Sequence, residues 1–336
     1  MKAKKIVEYL LLFVLAGALL FFSFKEVKWS DFAAGIKSCN FYWIAASMAV
    51  GVLGFIVRAC RWRLLLKPMD ENVSFKQAFN GVSIAYLTNF AFPRAGELAR
   101  CAVVAKEKKI TFEGAVGTVV VERGIDLICL IFWVIVTMLI KWDLFGNFII
   151  KELIEPFSSK FTGNVVAVMA VILCIAIISA LVMYKLRRTL TKNRFTAKIV
   201  QIFKGLMNGI VSLFKMKEKW MFILYTFLIW GTYWATSYTT ICAFPSVGHL
   251  GAADALFLMI VGGLGWVVPV QGGIGAFHFI VSLALAAVYG IPQSTGVVFA
   301  TISHEAQALA MIICGVTALL SFWKVHGKTA GEANRE

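Results

Sequence analysis

The chain has 336 residues, of which 60% are hydrophobic and 15% charged, with a mean hydropathy of +0.81. Soluble domains run near 45–50% apolar and about 25% charged, so a soluble protein is excluded; no polar stretch approaches the roughly 50 residues of an appended ATPase or cytosolic transferase domain. The net charge of +15 points to basic cytoplasmic loops lying against anionic headgroups rather than to nucleic acid.

The chain opens on Lys2, Lys4 and Lys5 and an apolar run to Phe22. It resembles a signal peptide but lacks a convincing small-residue cleavage site, so it reads as an uncleaved first span over 6–24 with its N-terminus in the cytoplasm. A second span over 41–64 returns inward to Arg58, Arg61, Arg63 and Lys67. Residues 75–106 are apolar but break at Pro93 and Gly96. If 75–93 crossed fully outward, Arg94, Arg100, Lys106, Lys108 and Lys109 would face outside, against the positive-inside rule. The sequence therefore predicts a re-entrant hairpin, descending over 75–93 and returning over 96–106.

A third span over 114–140 leads to a charge-balanced outer loop at 141–162, and a fourth over 163–184 returns inward. Residues 185–219 carry ten basic residues opposed by Glu218 alone, a cytoplasmic loop. Within it, Ile199, Ile202, Phe203, Leu206, Ile210, Leu213 and Phe214 are spaced for an amphipathic helix in the interface. A fifth span covers 220–244. Residues 252–290 are interrupted at Pro269-Val270-Gln271-Gly272-Gly273 and read either as a second re-entrant pair or as two short spans. The last span covers 295–323, followed by Lys324, His326 and Lys328 on the cytoplasmic side. The expected fold is an all-α polytopic transmembrane helix bundle, one integral-membrane unit over 1–336. It has six full spans plus two interrupted or re-entrant helical pairs, in the plasma (inner) membrane, with both termini cytoplasmic.

Ionisable groups at membrane depth cost roughly 3 kcal/mol or more and usually face a bundle interior or a wet cavity. Arg94, Glu97 and Arg100 follow Pro93 at three-residue spacing. On a helix starting near Gly96, Glu97 and Arg100 share a face. Two arginines and a half-helix N-terminus suit a lipid phosphate; the alternative is that the charges pair internally to hold the hairpin. Glu122, Arg123 and Asp126 lie in the first turns of the helix from about 114. They suit either a salt-bridge network with the hairpin arginines or transport work. Gly272, Gly273 and Gly275 permit a tight reversal and close ligand approach, with Gln271 and His278 as its polar side chains; His278 alone reads as a satisfied buried histidine before a ligand or proton relay. No G-x-x-x-x-G-K-[ST] nucleotide loop is present. His304 and Glu305 sit about ten residues into the last span as a proton relay or a hydrogen-bond anchor; an H-E-x-x-H metal site would need histidine where Ala308 stands. None of the seven cysteines forms C-x-x-C, and neither a cofactor nor a metal is expected.

Phe92-Pro93-Arg94-Ala95-Gly96-Glu97-Leu98-Ala99-Arg100, followed by Val119-Val120-Val121-Glu122-Arg123-Gly124-Ile125-Asp126-Leu127, resembles the paired P-x-x-G-E-x-x-R and V-x-E-R-x-x-D-L motifs of the lysylphosphatidylglycerol synthase transmembrane, or flippase-like, family. Pro269-Val270-Gln271-Gly272-Gly273-Ile274-Gly275 resembles its later P-x-x-G-G-x-G motif. The resemblance implies an integral membrane protein that moves phospholipid or lipid-linked substrates between leaflets. The family pattern often has Glu shortly after the last glycine motif, where this chain has His278. Bifunctional relatives carry a C-terminal aminoacyl-transferase domain; the chain ends soon after its last span, so synthase activity is not expected. The expected function is translocation of an anionic phospholipid or polyprenyl phosphate through a polar intramembrane cavity, without ATP. Two other classes compete. One is an integral-membrane transferase on polyprenyl-phosphate substrates, with Asp70-Glu71 as its nearest acidic loop; the other is a non-catalytic membrane partner protein.

Overall fold

The computed structural model describes residues 2–25, 27–70, 72–107, 110–142 and 216–333. Every regular element among them is helical. The ten α-helices are α1 (Lys2–Phe24), α2 (Trp29–Ser38), α3 (Phe41–Leu66), α4 (Phe75–Ala91), α5 (Gly96–Glu107), α6 (Phe112–Ile140), α7 (Lys219–Ala243), α8 (Ala252–Val267), α9 (Ala276–Tyr289) and α10 (Gln293–Ala333). Short 3₁₀ turns occur at Pro245–Val247 and Gln271–Gly273. Among the described residues, four helical stretches are long and apolar enough to cross a membrane: Phe41–Leu66, Phe112–Ile140, Gln271–Tyr289 and Gln293–Val325. Leu11–Phe24 and Ala252–Val267 are shorter apolar helices.

The expected spans at 41–64, 114–140 and 295–323 fall on the first, second and fourth of these stretches. The third belongs to the region read from sequence as interrupted. The expected span at 220–244 appears as α7, a 25-residue helix about 37 Å long, yet less apolar than the four. Its Thr226, Thr236, Thr239 and Thr240 hydroxyls donate to carbonyls one turn back, which lets threonine sit in a bundle without an unpaired donor. The expected span at 163–184 and the amphipathic helix at 199–214 lie outside the described residues. Helix α2, ten residues between α1 and α3, has no counterpart in the sequence reading.

Local chemistry sets the helix starts. Asn40 caps α3 by accepting from the Tyr42 amide, and Thr111 caps α6 by accepting from the Gly114 amide. Ser74 and Gln77 form a reciprocal capping box at the start of α4.

Contacts between helix ends order the bundle. At one end Lys67 Nζ meets Glu218 Oε1 at 2.6 Å, tying the end of α3 to the start of α7. At the other, the Asn40 amide donates to the Ala243 carbonyl at 2.8 Å, and Lys141 Nζ meets Asp254 Oδ1 at 3.0 Å. Helices α4 and α5 form an antiparallel hairpin based at the first end. A Cβ on Gly96 would overlap the Ala85 carbonyl, while one on Gly81 would stand 3.6 Å from Arg100 Cβ. Small residues let helix backbones approach this closely. Helices α8 and α9 form a second hairpin based at the opposite end, where the Tyr289 hydroxyl donates to Asp254 Oδ1 at 2.9 Å.

The two hairpin tips meet. Arg94 Nη2 donates to the Val267 carbonyl at 3.2 Å, and Phe90 lies so close to Gly272 that a Cβ there would stand 2.6 Å from its ring. Gly272 (φ 55°) and Gly275 (φ 82°) occupy the left-handed region that glycine tolerates. Gly275 also abuts the backbone of α1 at Ala16. Helix α10 spans the whole bundle beside both hairpins. Its Gln307 side chain donates to the Ser47 carbonyl and hydroxyl at 3.1 Å, joining it to α3.

Candidate functional site

Seven charged side chains from α3, α5 and α6 form one network. Glu122 is fully buried and is its hub. Its Oε1 accepts from Arg61 Nη2 at 3.1 Å and Arg123 Nη2 at 2.9 Å, and its Oε2 from Arg100 Nη1 at 2.9 Å. Asp126, one turn further along α6, takes Arg61 Nη2 at 2.7 Å and Arg58 Nη2 at 3.1 Å. Glu97 lies on the exposed side, with Arg100 Nη2 at 2.6 Å and Arg123 Nε at 3.3 Å. Arg61 and Arg100 are buried, whereas Arg123 and Glu97 are 40% and 35% exposed.

The four-residue spacing of Glu122 and Asp126 aims both carboxylates at α3, where Arg58 and Arg61 stand three apart. Trp62 supports the arrangement. Its indole lies under the Arg100 guanidinium at 4.7 Å, and its Nε1 donates to Thr118 Oγ1 at 2.9 Å. On the α7 side Arg61 Nη1 donates to Thr226 Oγ1 at 3.3 Å. Four arginines (Arg58, Arg61, Arg100, Arg123) against three carboxylates (Glu97, Glu122, Asp126) leave one positive charge over. The exposed side of the network is where an anion can reach it.

The structure thus brings together five of the expected residues: Glu97, Arg100, Glu122, Arg123 and Asp126. Glu122 is the eleventh residue of α6, about 15 Å from its start, deeper than the first turns expected from sequence. The positive-inside rule takes Arg58 and Arg61 as markers of the cytoplasmic side; in the structure they are central members of the network. Both lie within the expected second span, three residues apart, but no local pattern pairs them with Glu122.

Arg94 stands apart from this network. It is exposed at the tip of the first hairpin, and its described partner is the Val267 carbonyl of the second. It is the one non-glycine residue with positive φ (62°) among those described, a conformation costing of order 1–3 kcal/mol. Gln271, Gly272 and Gly273 form the facing tip, and Gln271 Oε1 is buried without a hydrogen-bond partner among the described residues.

His278, His304 and Glu305 make a second cluster beside that tip. His304 Nε2 lies 2.8 Å from the Gly272 carbonyl, and its Nδ1 lies 3.0 Å from Glu305 Oε1. His278 Nε2 lies 3.8 Å from the same oxygen. Where the resemblance led one to expect a carboxylate, His278 stands, and Glu305 brings a carboxylate there from α10. One ligand atom from each of the three lies within 4.8 Å of the others, a spacing a metal ion could bridge. The hydrogen bonds point to protons instead. The Gly275 amide donates to His278 Nδ1 at 3.4 Å, which puts that ring's proton on Nε2, the nitrogen a metal would need. Asp70, weighed above for a transferase, accepts from the Asn72 amide at 3.0 Å in its own turn; Glu71 lies outside the described residues.

These features define a multi-pass membrane protein, helical throughout its described elements, with a charged network inside the bundle. A family model, the lysylphosphatidylglycerol synthase TM region, matches residues 9–315, and the chain belongs to that family. Membership associates it with the handling of membrane lipids. Comparison with curated proteins gave no match, and neither did comparison with solved structures.

Proposed function

We propose that the protein moves an anionic phospholipid or polyprenyl phosphate between leaflets, with the headgroup passing the Arg–Glu–Asp network and the two hairpin tips. The observation that carries this is the excess positive charge of the network, held in a low-dielectric bundle and open on the Arg123–Glu97 side. A lipid phosphate there balances the charge and takes bidentate hydrogen bonds from arginine. The carboxylates orient the guanidinium groups and prevent permanent capture, because each arginine already has a partner to return to.

In this reading 1–336 is a single unit in the plasma membrane, with six full spans, a re-entrant first hairpin, and a second pair that is either re-entrant or two short spans. Helix α5 has 12 residues, about 18 Å, short of the roughly 30 Å of hydrocarbon. Bases at opposite ends and tips that meet are the arrangement that builds a midplane site in inverted-repeat transporters. Basic residues at the Lys67 end support a cytoplasmic position for that end and for both termini. Arg94, at the meeting of the tips, hands the headgroup from one hairpin to the other.

The test is reconstitution in liposomes holding a fluorescent anionic lipid, with dithionite added outside. Wild type should expose inner-leaflet label that empty liposomes protect. Arg94→Gly suits the local φ and removes the guanidinium, and is expected to slow exposure while folding normally. Protection equal to that of empty liposomes, across anionic phospholipids and polyprenyl phosphates, overturns the proposal.

A further inference from the structure

We infer that His278, His304 and Glu305 form a proton-binding site whose occupancy controls how the second hairpin tip is held to α10. The site itself stands on geometry alone; its coupling to transport rests on the translocation reading.

A carbonyl oxygen only accepts, so the 2.8 Å contact from His304 Nε2 to the Gly272 carbonyl fixes a proton on Nε2. In a neutral imidazole the other nitrogen then carries a lone pair. That nitrogen faces Glu305 Oε1 at 3.0 Å, and an ionised carboxylate also presents a lone pair. Two acceptors at that separation repel unless a proton lies between them. The pair therefore holds one proton more than a neutral histidine and a carboxylate would. The proton sits either on Nδ1, giving imidazolium and carboxylate, or on Oε1, giving neutral imidazole and carboxylic acid.

His278 offers a second station. Its Nδ1 accepts from the Gly275 amide, so Nε2–H points toward the same Glu305 oxygen at 3.8 Å, within reach of a small rotation or one bridging water. Both histidines are buried at 2% and 1% exposure, whereas the Glu305 side chain is 56% exposed. Glu305 is thus the point where a proton enters or leaves. The site lies about 17 Å along α10 from its start, at membrane depth.

The surrounding elements contribute aromatic walls rather than competing charge. Trp266 of α8 stacks on His304 with ring centres 5.1 Å apart, Phe277 lies at 5.5 Å, and Phe24 of α1 lies 6.5 Å from His278. Such faces favour an imidazolium. The ion pairs of the three groups join only one another among the described residues. Charges on the neighbouring elements are engaged elsewhere: Asp254 of α8 with Lys141, Arg58 and Arg61 of α3 with Glu122 and Asp126, and Arg94 with the Val267 carbonyl.

Loss of the proton forces a choice. With one ring proton left, His304 can donate to Gly272 or to Glu305, not to both. Either Glu305 swings away with its charge, or the Gly272 carbonyl loses its donor and the tip is freed. The same tip carries the Arg94–Val267 contact, so proton binding and the arrangement of the two hairpins are linked.

The test uses full-length protein in nanodiscs, labelled with ¹⁵N-histidine and ¹³C-carboxyl glutamate. The chain has four histidines, and His278→Gln and His304→Gln assign two of them. The expected result is one shared titration step, in which the His304 ring and the Glu305 carboxyl move together, and its loss in Glu305→Gln, an isosteric change. A neutral His304 beside an ionised Glu305 with no shared step overturns the site. So does stoichiometric Zn²⁺ retention that His278→Gln abolishes, which would make it a metal site. A parallel liposome assay imposes a pH gradient. The ratio of lipid translocation rates with and without the gradient should depart from one in wild type and return toward one in Glu305→Gln. A ratio of one in both, with translocation present, overturns the coupling. Absence of all translocation fails the transport reading, while the NMR titration still decides the proton site.

Discussion

Neutralising Glu122 is the most searching perturbation of the charged network. In Glu122→Gln the shape is kept, but three arginine hydrogen bonds lose their charge and Arg58, 3.8 Å away, loses an attraction. Two carboxylates are then left against four arginines. Glu122 is fully buried and Arg61 beside it is equally so, so solvent screens little of this. Removing one partner from a buried ion pair costs about 3–5 kcal/mol, a large part of the roughly 5–15 kcal/mol that holds a typical fold. Unfolding by SDS in mixed micelles, followed by far-UV circular dichroism, measures the change. A marked drop in the midpoint is expected for Glu122→Gln, with partial recovery in Glu122→Gln/Arg61→Gln because the excess positive charge falls from two to one, although Arg61 also gives up its contact with Asp126. Glu218→Gln, at the exposed Lys67 bridge, serves as the control and should leave the midpoint nearly unmoved. If Glu122→Gln unfolds at the same SDS fraction as Glu218→Gln, the network is not the buried, charge-bearing structure described above.

Other consequences are simpler to check. Gly96→Ala should split the first hairpin, because its Cβ would overlap the Ala85 carbonyl, whereas Gly117→Ala meets nothing within 4 Å and should be neutral or stabilising by up to about 1 kcal/mol; thermal unfolding in detergent ranks the two. Cysteines introduced at Asp70 and at Ser246, in a background without native cysteines, should label from opposite faces of intact cells, with Asp70 reached only from the cytoplasm. Lys76→Ala, an exposed change on α4, should leave lipid translocation close to wild type under the conditions in which Arg94→Gly slows it.

Much of this molecule was legible in the sequence because its signals are local. Pro93 and Gly96 mark the first hairpin tip: α4 ends at Ala91 and α5 begins at Gly96. The spacing of Glu122 and Asp126 placed both acids on one face of α6. Pairing across helices was less legible. Arg58 and Arg61 sit near the basic end of a span, where the positive-inside rule accounts for them, so nothing local marked them as partners of Glu122. His278 and His304–Glu305 are separated by a helix and a turn, and only the packing of α9 against α10 joins them. The meeting of the two tips depends on a guanidinium reaching a carbonyl 173 residues away, which periodicity within one helix cannot report. Helix α2 was missed because its ten residues are too short to leave an apolar signal of span length.

The central claim is that the network and the hairpin tips carry an anionic headgroup across the bilayer. The most direct measurement compares dithionite accessibility of labelled phosphatidylglycerol and labelled phosphatidylcholine in matched proteoliposomes, without ATP, for wild type and Arg94→Gly. The account predicts faster exposure of inner-leaflet phosphatidylglycerol than of phosphatidylcholine by wild type, and loss of that preference in Arg94→Gly. Equal exposure of both lipids by wild type, unchanged in Arg94→Gly, would contradict it.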